Sequence, residues 1–167
     1  MGAMATTRKK TPPPAPPASP AAPAISDRLD TRVLEALVGY NARRASIAIG
    51  TVFFERMAVF GLRQVDFSVL SLLGHNPGAT SRQLCKTLDI LPPNFVNLIA
   101  AMDRRGLIER RPHPRDGRAI GLHLTAAGAS LMAEAEQSVL ELEDESSAQL
   151  TATERATLIR LLKKLYL

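Results

Sequence analysis

The sequence predicts a mainly α-helical fold carrying one small β-hairpin, and three observations on its 167 residues predict it. From about residue 26 onward apolar side chains recur at three- and four-residue spacing, the period of helices that bury one face. Between Thr80 and Leu124 two short helical patterns, TSRQLCKTLD and PNFVNLIAAMDRRG, meet at the turn-like ILPPN. Two β-type runs, LIERR and AIGLHL, then flank a turn-rich loop, PHPRDGR. Two helices at a sharp turn followed by a basic hairpin form the pattern of a winged helix-turn-helix lobe, whose second helix enters the DNA major groove. The helices outside this lobe are expected to form a dimerisation region.

Residues 1–25 hold seven of the twelve prolines among Ala, Ser and Thr, with Arg8, Lys9 and Lys10 near the start. Such a segment buries too little apolar surface to offset its ordering entropy, which predicts a disordered, partly polyproline arm. Its basic triplet either adds non-specific DNA affinity or is simply solvated.

Residues 26–62 are expected to form one long dimerisation helix with a stripe of Leu34, Leu37, Tyr40, Ile47, Thr51 and Phe54. Ser26 or Asp27 would cap its start, and Gly61 suits the left-handed position that ends a helix. At about three times the usual helix length it exceeds what a small core covers, so packing against another subunit is expected. Arg43 and Arg44 lie midway, where at least one must point near the stripe. A cation there either receives a carboxylate or phosphate ligand or forms an interface ion pair with an acidic helix further on. Asn41 and Phe67 are further candidates for the same ligand pocket.

Residues 63–124 form the expected DNA-binding lobe. A helix over about Gln64–Gly74 is apolar on nearly every side, through Phe67, Val69, Leu70, Leu72 and Leu73, which marks a centrally buried element. HNPGA breaks it, and Thr80 with Gln83 makes a capping box for a helix that turns Leu84 and Leu88 inward. In the next helix Phe95, Leu98, Ile99 and Met102 define the buried stripe, leaving Pro93, Asn94, Val96 and Asn97 for the groove. Asn pairs in bidentate fashion with adenine, and Val, Ala or Pro touches a thymine methyl. No Arg or Lys stands in the first three turns to claim guanine, which predicts readout biased to A·T pairs. The alternative is that Asn94 and Asn97 only cap and solvate a helix start. Arg104 and Arg105 either complement the helix dipole or contact phosphate.

In the hairpin Arg110, Arg111, Arg115 and Arg118 crowd a loop stiffened by Pro112 and Pro114. Such a tip suits phosphates or a narrow minor groove, where the potential is most negative. Asp116 is expected to pair with a neighbouring arginine and, with Gly117, to structure the wing, leaving Arg118 to reach DNA. His113 reads as a solvated side chain rather than a pH sensor.

Residues 125–167 carry two further helices of the dimerisation region. Thr125 caps the first, with Leu131, Met132, Ala135, Val139, Leu140 and Leu142 apolar. Thr151 with Glu154 is a capping box for the second, striped by Leu158, Leu161, Leu162 and Leu165. Two such stripes at a chain end call for a partner.

Charge and composition narrow the function. The formal net charge is +5, and Thr80–Leu124 holds eight Lys/Arg against four Asp/Glu while Thr125–Leu150 holds none against six. A basic lobe followed by an acidic helix points to one end that meets phosphate and one that does not. No apolar run approaches the roughly 20 residues that span a bilayer, so no membrane partner is expected. The start lacks the apolar core of a secretory signal, and the single Cys85 allows no intrachain disulfide, so the chain reads as cytoplasmic. With no Cys/His metal spacing, no phosphate-cradling Gly loop and no Ser, His and acid grouping, neither an enzyme nor a cofactor or metal is expected.

The succession GYNARRAS, LRQVDFSVLSLL, the helix-turn-helix, GLIERRPHPRDGR and LHLTAAG resembles the MarR family of bacterial winged-helix regulators over about Leu34–Leu167. The resemblance rests on the order and spacing of these segments, above all GLIERR, the wing's Asp116 and Arg118, and LTAAG. It implies a homodimer with intertwined first and last helices, presenting two recognition helices and two wings to a pseudo-palindromic operator. It further implies a repressor relieved by a small aromatic or anionic effector, an acyl-CoA thioester among the possibilities, bound between the dimer helices and the DNA-binding lobe. Two positions depart from the family pattern. Leu91-Pro92-Pro93 opens the recognition helix where polar residues are common, and Cys85 lies in the helix-turn-helix whereas peroxide-sensing members carry their cysteine near the first helix. Two alternatives stand beside this reading: a redox-switched regulator using Cys85, and a winged-helix protein-interaction module without specific DNA binding.

Overall fold

The computed structural model describes residues 29–113 and 116–167; the side chains of residues 113 and 116–118 lie outside that description, as do residues 1–28 with the arm and the Ser26 and Asp27 caps. Where periodicity predicts one long opening helix, the chain makes a short helix α1 (Arg32–Glu35), a long helix α2 (Val38–Met57) and a closing 3-10 turn (Ala58–Phe60). The break falls at Leu37, whose backbone is extended at φ −93° and ψ 126°. Asn41 makes the break tolerable: its Nδ2 donates at 2.7 Å to the carbonyl of Glu35, an acceptor that a continuous helix would have satisfied itself, and at 2.8 Å to that of Leu37, which also accepts the Asn41 backbone N–H. The turn ends at Gly61 in the left-handed region, φ 60° and ψ 36°, where glycine carries no Cβ penalty.

Helix α3 (Gln64–His75) runs through the centre and buries Val69, Leu70 and Leu73. Helix α4 (Ser81–Leu88) starts from the Thr80–Gln83 capping box, and α5 (Pro92–Arg104) starts on prolines whose fixed φ and missing N–H suit a first helical turn. The wing is antiparallel, with β2 (Ile108–His113) and β3 (Asp116–Leu124) paired from Ile108 opposite Leu124 outward, and an irregularity at Pro112/His113. A third strand, β1 (Ala79–Thr80), has no sequence signal because two residues carry no alternation. It forms because the chain after α3 passes β3, pairing Ala79 with Leu122 and Thr80 with Gly121 in the order β1-β3-β2. Glycine at 121 permits that approach, since a Cβ there would stand 2.9 Å from the Gly78 carbonyl oxygen.

Helix α6 (Ala126–Ser146) and helix α7 (Ala152–Tyr166) complete the chain, capped by Thr125 and by the Thr151–Glu154 box. One core joins α2 and α6 to the lobe: Phe53 and Met57 of α2 cluster with Leu70 and Leu73 of α3, Phe95 and Met102 of α5, and Met132 and Leu142 of α6. Helix α7 buries none of its residues, leaving Leu161 49% and Leu165 66% exposed, and on α2 Ile47 is 47% and Phe54 67% exposed. Apolar stripes of this length left open at both ends of a chain mark an association surface.

Candidate nucleic-acid interface

Helix α5 is held by its inner stripe, with Phe95, Leu98, Ile99 and Met102 all buried. Its opposite face presents Pro93, Asn94, Val96 and Asn97 to solvent, so the four residues assigned to the groove share one exposed surface. Cations that the sequence reading passed over flank that surface. Arg82 and Lys86 of α4, both exposed, line with Pro92 and Val96 a cleft of about 500 Å³ between α4 and α5. On the other side of α5, Arg63 lines with Asn94 and Asn97 a second cleft of about 480 Å³. Arg82 in the first turn of the first helix of the motif was the available signal. Cys85 is half-buried in the first cleft.

The predicted phosphate contacts divide. Arg104 is exposed and has no ion-pair partner among the described residues. Arg105, by contrast, is committed within the protein: its Nη1 donates to the Gly61 carbonyl and its Nη2 to the Phe60 carbonyl, each at 2.9 Å. This departs from both sequence readings, because those carbonyls end the α2 region rather than α5. The reason is tertiary: the two helix ends are brought together across 44 residues of chain. Arg110 reaches from the wing to Asp103 of α5 at 3.7 Å, and the exposed Arg111 pairs with Glu109 on its own strand. Arg115 and the side chains of Asp116, Gly117 and Arg118 lie outside the described residues.

Behind α5 stands the one buried charged side chain of the described residues, Asp66, 6% exposed. Burial pushes its carboxyl pKa up, but hydrogen bonds from the Arg63 side chain and backbone, with the charges of Arg63 and Arg105, outweigh this and hold it below the usual range. Arg63 is bidentate, Nε to Oδ2 and Nη2 to Oδ1 at 2.9 Å each.

The residues assigned to an effector pocket are not brought together within the protomer. A groove of about 650 Å³ opens between α2 and α7, lined by Asn41, Ala42, Ala45 and Ile49 on one side and Leu158 and Leu162 on the other. Asn41 belongs to it; Arg43 and Arg44 are exposed on α2 outside its lining, and Phe67 packs edge-on against Phe53 at a centroid distance of 5.7 Å. The α2 cation that pairs with the acidic helix is Arg56, bonded to Glu145 at 2.5 Å, with Glu141 at 3.9 Å. Among the described residues no group of His, Cys, Asp and Glu could hold a metal ion, and no single helix is long and apolar enough to cross a membrane.

Three comparisons bear on this geometry. The family model described as the MarR family matches residues 60–119, from the end of the 3-10 turn into the wing. A protein of Thauera aromatica named as a transcriptional regulatory protein for the hcr operon is 32% identical over 130 residues, 77% of this chain and 78% of the relative. The transcriptional repressor CouR bound to a 23-mer DNA duplex superposes with a TM-score of 0.78 at 34% identity, covering 83% of this chain and 98% of CouR. CouR bound to p-coumaroyl-CoA superposes at 0.73 with 33% identity, covering 83% and 97%. The match in sequence spans the helix-turn-helix and wing, and the match in structure extends over the flanking helices, so the chain belongs to the MarR family.

Proposed function

We propose that the chain is a homodimeric, ligand-responsive transcriptional repressor that occupies a pseudo-palindromic operator and leaves it when an aromatic or anionic effector binds, an acyl-CoA thioester being the first class to try. The observation that carries this reading is that one repressor of the same fold, CouR, holds either a DNA duplex or p-coumaroyl-CoA. The open stripes on α2 and α7 support the dimer. A two-fold axis between them would set two copies of α5 about 34–36 Å apart, one helical turn of DNA.

In this reading Pro93, Asn94, Val96 and Asn97 meet base edges, and Arg104 with the wing arginines Arg111, Arg115 and Arg118 meets phosphate, joined by Arg82 and Lys86 at the edge of the groove. The apolar part of the effector occupies the α2–α7 groove beside Asn41, and Arg43 and Arg44 draw its anionic part. An effector acts only through a difference in affinity between the DNA-competent and incompetent dimers. No step of this function is catalytic.

The test is titration of the purified protein against the DNA flanking its own gene at two salt concentrations, with and without aromatic acids and their coenzyme A thioesters. Salt-sensitive binding relieved by one compound is expected. Absence of any specific complex would shift the reading to a protein-interaction module. Arg44→Ala should abolish release while leaving DNA affinity intact, and unchanged release would remove Arg44 from the effector site.

A further inference from the structure

Arg105 is the C-cap residue of α5, with φ −81° and ψ −4°, yet its guanidinium turns away from the carbonyls of its own helix. One planar fork spans two acceptors, the carbonyls of Phe60 and Gly61, at 2.9 Å each. Those carbonyls close the 3-10 turn in which α2 ends, so a single side chain ties the recognition helix to the long helix that carries the open apolar stripe. The guanidinium lies over Gly61, where an added Cβ would sit 3.5 Å from Nη2. The same cation acts on buried Asp66 in the first turn of α3, whose direct partner is Arg63. Three helices therefore meet at one charged joint. The wing follows it, since Gly106 and Leu107 lead from Arg105 into β2.

We propose that Arg105 is a positioning residue for DNA binding: it clamps the C-terminal end of α5 to the end of α2, so the placement of the dimer-forming helices sets the angle at which α5 and the wing meet DNA. The proposal rests on the DNA-binding reading above and gives Arg104 and Arg105 opposite tasks. Arg104 is the phosphate contact, and Arg105 acts through the backbone of another helix. A fork with two fixed N–H vectors suits two carbonyls as a single ammonium does not.

The test uses the full chain and Arg105→Met, Arg105→Lys and Arg104→Met, with two readouts. The first is operator affinity as a function of salt. A lost phosphate contact lowers the slope of log affinity against log salt by about 1, whereas a lost positioning contact leaves that slope in place. Arg105→Met is expected to weaken binding about tenfold at an unchanged slope, with part of the loss recovered in Arg105→Lys, and Arg104→Met to lower the slope. The second readout needs no DNA: amide hydrogen exchange at Gly61 and Leu62, whose N–H groups bond Ala58 and Met57, should quicken in Arg105→Met. A slope lowered by about 1 in Arg105→Met, unchanged affinity, or unchanged exchange at the joint each overturns the proposal. Should the wild-type chain bind no DNA, the DNA-binding reading fails by itself, and the exchange result still decides whether the clamp holds. Should Arg105→Met not fold, Arg105→Lys carries the test, because it keeps the charge a phosphate would need and loses the fork.

Discussion

Gly128→Ala sets two effects against each other, and the structure decides between them. Gly128 lies in the first turn of α6, a helical position at which alanine gains about 1 kcal/mol by propensity. A Cβ built there, however, stands 2.0 Å from the carbonyl oxygen of Leu107 and 2.9 Å from its carbonyl carbon. Carbon and oxygen approach to about 3.3 Å at closest, so α6 and the start of β2 must separate by more than about 1 Å. The obstacle is backbone, so no rotamer change relieves it. Separation also stretches the bond from the Thr125 N–H to that same Leu107 oxygen, 3.1 Å, and the bond from Thr125 Oγ1 to the Gly106 carbonyl, 2.6 Å. Overpacking costs about 1–3 kcal/mol and a weakened hydrogen bond about 1 kcal/mol, which together exceed the propensity gain. The expected net loss is about 1–3 kcal/mol, read as a melting midpoint lower by roughly 2–12 °C at matched protomer concentration. A midpoint equal to or above that of the wild-type protein would refute the reasoning, since propensity would then govern the site.

Other perturbations follow from the same structure. Asp66→Asn removes the negative charge and one of the two carboxylate oxygens that Arg63 grips. Because the folded carboxyl pKa lies below its ordinary value, the pair's contribution is fully present above about pH 3.9 and is lost as pH falls through the folded value. Acid-range melting curves of the variant should therefore be flatter than those of the wild type, and identical slopes would remove the pair from the acid stability of the lobe. Thr80→Ala opens the capping box of α4, in which Thr80 Oγ1 accepts from the Gln83 N–H at 3.3 Å, and should lower stability by about 1 kcal/mol in denaturant titration. For base readout, operators selected from random DNA should be enriched in A·T pairs under α5, and Asn94→Ala or Asn97→Ala should relax that preference without altering the salt slope. Enrichment of guanine-centred contacts would contradict the assignment.

What the sequence by itself determined is whatever depends on neighbours a few residues apart. The capping boxes Thr80–Gln83 and Thr151–Glu154, the Thr125 cap, the left-handed Gly61 and the buried stripe Phe95, Leu98, Ile99 and Met102 all appear where the residue types place them. A helix period and a cap involve one turn of chain, so they are written locally. The outward face of α5 follows from the same period, which is why the exposure of Pro93, Asn94, Val96 and Asn97 was legible.

Tertiary structure decided the rest. Strand β1 exists only because β3 passes beside Ala79 and Thr80, and two residues carry no pattern of their own. The opening helix breaks at Leu37, where Asn41 satisfies the released carbonyl of Glu35, although the apolar spacing runs on through the break. Asp66 is buried in a segment whose apolar residues gave no place to a charge, and it is held there by Arg63. Arg105 illustrates the division most directly. Sequence position offered it a helix dipole or a phosphate, but its two hydrogen bonds go to carbonyls 44 and 45 residues away, and only the fold brings those within reach. Long-range partners of long, flexible, charged side chains leave no periodic trace in a sequence, because their choice is made by whichever backbone atoms the packed core delivers to them.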